Sequence, residues 1–131
     1  MAGGKVSKQI FEMEYYDTTY ADDWFTLASG LTWQSGNYCT LRHVEKNLWY
    51  IYLAVNGTIA ANGSTAIGTI NEAFFGNKDM SCYVPAVVNA SGGGSYPAVA
   101  RVNISGEVNV IGGPVAGSSV VINGLIIRRE V

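Results

Sequence analysis

Charge is scarce in this chain. Asp, Glu, Lys and Arg make up 14% of the 131 residues, well below the roughly 25% of an ordinary soluble domain. Eight bases stand against ten acids, for a formal net charge of -2. No basic cluster is longer than Arg128-Arg129, so the footprint that a phosphate backbone requires is missing and nucleic acid is excluded as a partner. Long apolar runs are also lacking: none approaches the roughly 18 residues that span a bilayer. Met1-Ala2-Gly3-Gly4-Lys5 opens no signal-peptide core. The expectation is a soluble protein made in the cytoplasm, with no membrane insertion.

Reactive side chains are few. The chain has one histidine, His43, and two cysteines, Cys39 and Cys82. The cysteines sit in apolar surroundings and not at metal-ligand spacing, so no metal or other cofactor is expected. Both read as reduced, small core residues, with a single disulfide as the alternative. No G-x-S-x-G, H-E-x-x-H or P-loop pattern occurs, and His43, beside Arg42 on a strand, reads as structural. Glu12 with Glu14, or Asp22 with Asp23, could be drawn as a glycosidase pair, but adjacent carboxylates in an acidic segment read as solvated. Gly92-Gly93-Gly94 lacks the following helix or Lys of a phosphate cradle and reads as a hairpin tip. Of the Asn-x-Ser/Thr triplets at Asn56, Asn62, Asn89 and Asn103, the first two read as turn dipeptides, Asn56-Gly57 and Asn62-Gly63. The chain is expected to be non-enzymatic.

What remains is abundant: 48% hydrophobic residues and 16 glycines, over a length that suits one domain. Residues 9–23 carry Glu12, Glu14, Asp17, Asp22 and Asp23 without a base. Loose alternation broken at Asp17-Thr18-Thr19-Tyr20 predicts an extended arm over residues 1–23. From Trp24 onward, short runs of Val, Ile, Thr and Tyr alternate with Gly/Asn/Ser clusters, the pattern of an all-β sandwich or barrel. Strands are predicted over 24–28, 38–44, 48–56, 64–70, 81–89, 97–104, 107–111 and 119–127. Period-two alternation places Trp49, Ile51, Leu53 and Val55, the row Ala98, Ala100, Val102 and Ile104, and Val108 and Val110 in the core. The second face carries Tyr50, Tyr52, Val99, Arg101, Asn103, Glu107 and Asn109. It has few charges, so it is half-buried in a second layer or covered by a neighbouring subunit. Pro85 puts its strand at a sheet edge or splits it in two. Asn123-Gly124 is read as a strand running through, with a bulge at Gly124.

The order Trp24-Phe25-Thr26-Leu27-Ala28-Ser29-Gly30, Gly36, Arg42, the strand 48–55 leading to Asn56-Gly57, and Ala66-Ile67-Gly68-Thr69-Ile70 resembles the β-sandwich head domains that end many bacteriophage tail-fibre and baseplate proteins. Val102-Asn103-Ile104-Ser105-Gly106-Glu107-Val108-Asn109-Val110 resembles the penultimate hairpin of that group, and Val121-Ile122-Asn123-Gly124-Leu125-Ile126-Ile127 its closing strand. The Pro-rich turn common after the Ile-Gly-Thr strand is replaced here by Asn71-Glu72-Ala73-Phe74-Phe75-Gly76. The resemblance implies a homotrimeric, non-catalytic component of the virion surface that touches host cell-surface saccharide or protein. A capsid decoration or head-fibre protein, and a bacterial carbohydrate-binding module, are the alternatives.

The expected architecture is an antiparallel β-sandwich, jelly-roll-like, of about eight strands over 24–131, preceded by the arm. Aromatic platforms beside planar polar groups make Trp33, Asn37, Asn77, Asp79 and Tyr96 the candidate saccharide ligands. Tyr50, Tyr52 and Val99 are candidates for the subunit contact. Phe11, Met13, Tyr15, Tyr16 and Tyr20 mark the arm as an attachment segment, docked on a neighbouring subunit or on another virion protein. An exposed aromatic would forgo roughly 1.5–3 kcal/mol of burial. Deleting residues 1–20 should leave a cooperatively melting β protein by circular dichroism while loosening the oligomer or abolishing incorporation into particles; an unfolded product would make the arm a strand of the sandwich.

Overall fold

The structure is a computed structural model that describes residues 24–34, 39–71 and 81–127. Among the described residues nine strands form one antiparallel sheet: β1 (Phe25–Leu27), β2 (Thr32–Trp33), β3 (Cys39–Glu45), β4 (Leu48–Ile59), β5 (Ser64–Ile70), β6 (Cys82–Ala90), β7 (Ser95–Val102), β8 (Glu107–Ile111) and β9 (Gly117–Ile127). There is no helix among the described residues. The neighbour order is β1-β5-β8-β7-β6-β9-β4-β2, with β3 also on β4. The sheet curls until its ends nearly meet: the ring of Phe25 on β1 lies edge-on to that of Trp33 on β2, centroids 5.9 Å apart. Residues 28–31 bridge this seam, with Ala28 N–H donating to the Ile67 carbonyl at 2.9 Å. The result is an all-β, sandwich-like barrel.

Its interior follows from the two-residue period of a strand. Trp49, Ile51, Leu53 and Val55 of β4 are all buried, as are Val84, Ala86 and Val88 of β6, and Val108 and Val110 of β8. Trp24 and Phe25 fill the same core. Both cysteines are thiols, Cys39 buried and Cys82 packed against the core at its margin.

Two connections cross one end of the barrel, residues 60–63 from β4 to β5 and residues 112–116 from β8 to β9. They bind each other: Asn62 N–H donates to the Gly113 carbonyl at 2.7 Å, and Gly112 N–H to the Gly63 carbonyl at 2.8 Å. A methyl group at Gly112 would collide with the Ala60 carbonyl oxygen. The opposite end holds the start of β1, the β3–β4 and β7–β8 turns, and both ends of the β5–β6 connection.

Several expectations need correction. Asn56-Gly57 is not a turn: β4 continues to Ile59, and its register with β9 shifts between Asn56 and Ile59. Gly57 is needed because a side chain there would strike Leu31. Gly124 carries no bulge, since β4 and β9 pair in unbroken register from Leu48↔Ile127 to Asn56↔Ser119. Pro85 sits neither on an edge nor at a break, because β6 runs whole between β7 and β9. The β6–β9 ladder begins only at Ala86↔Ile122, and the Pro85 Cδ, which replaces an amide hydrogen, faces the bare Cα of Gly124. Ile104 is 60% exposed, because β7 ends at Val102 and the chain turns through residues 103–106. The strand beyond the predicted eight is β2, whose two residues are too few to show a period.

Gly68 lies under the Phe25 ring and against the Thr26 carbonyl oxygen, with no room for a Cβ, whereas Gly92 faces open space. Gly68→Ala should lower the unfolding free energy by about 1–3 kcal/mol, read from the urea midpoint, and Gly92→Ala should change it by less than about 0.5 kcal/mol.

Candidate functional site

With inward positions taken by the core, chemistry is left to the outer wall and the barrel ends. On the outer wall Arg42 of β3 stands opposite Tyr50 of β4, which stands opposite Leu125 of β9; Thr40, Tyr52 and Asn123 form the next rank. Thr40, Arg42, Val44, Tyr50, Tyr52 and Leu125 line an open groove of about 490 Å³. Tyr50 and Tyr52 are half-buried, while Val44 and Leu125 are each 50% exposed. Val99, grouped with the two tyrosines by the sequence, belongs to β7 and pairs with Pro85 and Ile111. It lies three strands from β4, roughly 14 Å at ordinary strand spacing. Exposed Val87 and Ile111 flank it on the same wall.

A second groove, of about 430 Å³, opens where β6 begins and β7 ends, along residues 81–83 and 101–104. Tyr83 and Arg101 are direct cross-strand partners, and Tyr83 is 65% exposed. The floor is held by Asn103. Its Oδ1 accepts from Ser105 N–H at 3.0 Å, Ser105 Oγ at 3.0 Å and Glu107 N–H at 2.9 Å, while its Nδ2 donates to Glu107 Oε1 at 2.8 Å. Asn103 is therefore spent on the turn. The phenol of Tyr83, the guanidinium of Arg101 and the exposed side chain of Ile104 are what the groove offers a ligand.

Asn77 and Asp79 lie outside the described residues, on the connection that leaves β5 at Asn71 and returns at Ser81 beside this groove. Asn37 also lies outside them, as do Phe11, Met13, Tyr15, Tyr16 and Tyr20 of the arm. Trp33 is on β2, half-buried against Phe25 at the seam. Tyr96 is at the crossover end, where its hydroxyl donates to the Val115 carbonyl at 2.7 Å and accepts from Gly113 N–H at 3.2 Å. Its ring covers Gly113, leaving no space for a Cβ there. Trp33 and Tyr96 are thus not brought to the Tyr83–Arg101 groove. Neither Tyr83 nor Arg101 is singled out as a binding residue by the sequence. The available signal was alternation: with Val84, Ala86 and Val88 inward, Tyr83 must face out beside Arg101. Among the described residues no three of His, Cys, Asp and Glu are grouped to hold a metal ion.

No protein-family model matches the chain, and no curated protein matches its sequence. A solved structure matches its shape: the head domain of phage bIL170, described in connection with a common fold for the receptor-binding domains of lactococcal phages. The TM-score is 0.61 and the match covers 80% of this chain and 96% of that one. The two chains share a fold. At 18% identity the likeness carries over no residue, so any site must be argued from this chain's own side chains.

Tyr96→Phe removes both hydrogen bonds to the 112–116 crossover. It should cost about 1 kcal/mol of stability, measured by chemical denaturation; a neutral result would free the hydroxyl for a role in ligand binding.

Proposed function

We propose that this chain is a bacteriophage virion surface protein whose β-sandwich head binds a host cell-surface saccharide without catalysis. The observation that carries this reading is the shared fold with a phage receptor-binding head domain. The Tyr83–Arg101 groove supplies suitable chemistry. An aromatic face packs against the C–H face of a pyranose, and a planar guanidinium donates in parallel to neighbouring hydroxyl or acidic oxygens. Asn77 and Asp79, in the connection that ends at Ser81, are further candidate ligands by residue type.

The head works as a homotrimer, held through the outer wall at Tyr50 and Tyr52, with Val99 at the margin of the contact. A shallow open groove binds weakly, and three of them on one particle offset this through effective concentration. The arm joins the head to its neighbour or to another virion component.

Binding of purified protein to host cells tests the receptor reading. Tyr83→Ala and Arg101→Ala should each weaken binding at least tenfold, about 1.4 kcal/mol, with the melting temperature unchanged. Unchanged binding in both would move the receptor site elsewhere, and failure of the wild type to bind any host surface would overturn the function. Light scattering should give three times the 14.0 kDa chain mass.

A further inference from the structure

Strand pairing carries the Tyr83–Arg101 groove beyond β7. Arg101 stands opposite Asn109 of β8, and Asn109 opposite Ala66 of β5, so Tyr83, Arg101, Asn109 and Ala66 form one rank across four strands. Val108 and Val110 are buried, which turns Asn109 outward between them. The rank ends at a second opening, of about 230 Å³, on the outer wall of β1, β5 and β8.

A bulge makes this opening. The β5–β8 register shifts between Ala66 and Gly68, leaving Ile67 as the extra residue of β5. Ile67 is buried, and a Cβ on Gly68 would meet the buried Phe25 ring, so both face the core. The neighbouring outward side chains of β5 are then Ala66 and Thr69, farther apart than the usual two residues, with the backbone of Gly68 lining the gap between them. Thr26, Thr69 and Glu107 pair across its far side. Two polar atoms there are spent: Thr26 Oγ1 donates to Asn71 Oδ1 at 2.9 Å, and Glu107 Oε1 accepts from Asn103. Glu107 Oε2, the Asn109 carboxamide and the Thr69 hydroxyl are what the opening offers. Among the described residues its lining holds no base and no aromatic ring. An acid without a base suits hydroxyl groups and repels an anion, the reverse of Arg101.

We propose that the β5 bulge is a second subsite of the saccharide site, so that the ligand is an oligosaccharide laid across the strands from Tyr83 to Ala66, with a neutral, hydroxylated unit at Asn109 and Glu107. The proposal rests on the receptor reading above and adds the length and polarity of the ligand. Three steps between strands separate the two ends, roughly 14 Å. A pyranose unit is about as long as one such step, so the ligand has at least three units. Each opening is shallow, and covalent linkage of the units that fill them raises affinity through effective concentration.

Competition tests this. Polysaccharide purified from the host surface is fluorescently labelled and bound to the full chain, then displaced by size-fractionated fragments of the same polysaccharide. Fragments of four or more units should compete at least tenfold better than fragments of one or two. Asn109→Ala, and Ala66→Trp, which fills the opening from an exposed position, should each remove that gain with the melting temperature and the weaker competition by short fragments unchanged. Equal competition at every length, or long fragments indifferent to both substitutions, overturns the second subsite and leaves the Tyr83–Arg101 groove standing. Failure of the wild type to bind the labelled polysaccharide overturns the saccharide reading and the subsite together.

Discussion

The register between β4 and β9 is the constraint on which the rest depends. From Leu48↔Ile127 to Asn56↔Ser119 the two strands pair without a slip, and β4 carries β3 and β2 along its other edge. Since side chains alternate faces, a slip of one residue would expose Trp49, Ile51, Leu53 and Val55 and turn Tyr50 and Tyr52 inward. Burial of that apolar row, at roughly 1.5–3 kcal/mol for each large side chain, therefore selects the register. The same choice sets Arg42, Tyr50 and Leu125 in one rank on the outside. The apolar groove is a by-product of core selection, available for a contact that the core itself does not need.

Closure of the sheet imposes the second condition. Two crossing connections share one end, where Gly112, Gly113 and the Tyr96 hydroxyl hold them together. The other end carries short turns and the return of the β5–β6 connection, leaving Tyr83 and Arg101 exposed beside a turn that Asn103 has already satisfied. One end is thus cross-linked by hydrogen bonds, and the other leaves Tyr83 and Arg101 exposed on paired strands.

Much of the fold was legible because strand period and turn chemistry agree. Strands 64–70 and 107–111 appear residue for residue as read, since Gly63, Asn71, Gly106 and Gly112 beside their ends break the alternation. The failures share a cause: a local signal was outweighed by a contact distant in sequence. Asn56-Gly57 has the composition of a hairpin turn, yet Leu31 takes the space above Gly57 and β4 runs on. Pro85 looks like an edge residue, but Gly124 receives its ring inside the sheet. The outer-wall pair Tyr50 and Tyr52 was visible in alternation, while its partner Arg42 comes from a neighbouring strand whose register no local pattern specifies. The Tyr83–Arg101 groove lies on paired strands, where no loop composition marks it, and Tyr96, which follows a glycine run, uses its hydroxyl to hold a crossover.

Under the proposed function a host saccharide binds at the β6–β7 end of the barrel. Amide chemical-shift mapping of the isotope-labelled protein, titrated with polysaccharide purified from the host surface, tests it most directly. The account predicts saturable shifts concentrated at residues 81–83 and 101–104. Shifts concentrated at residues 91–96 and 112–116, or none at any concentration, would contradict it.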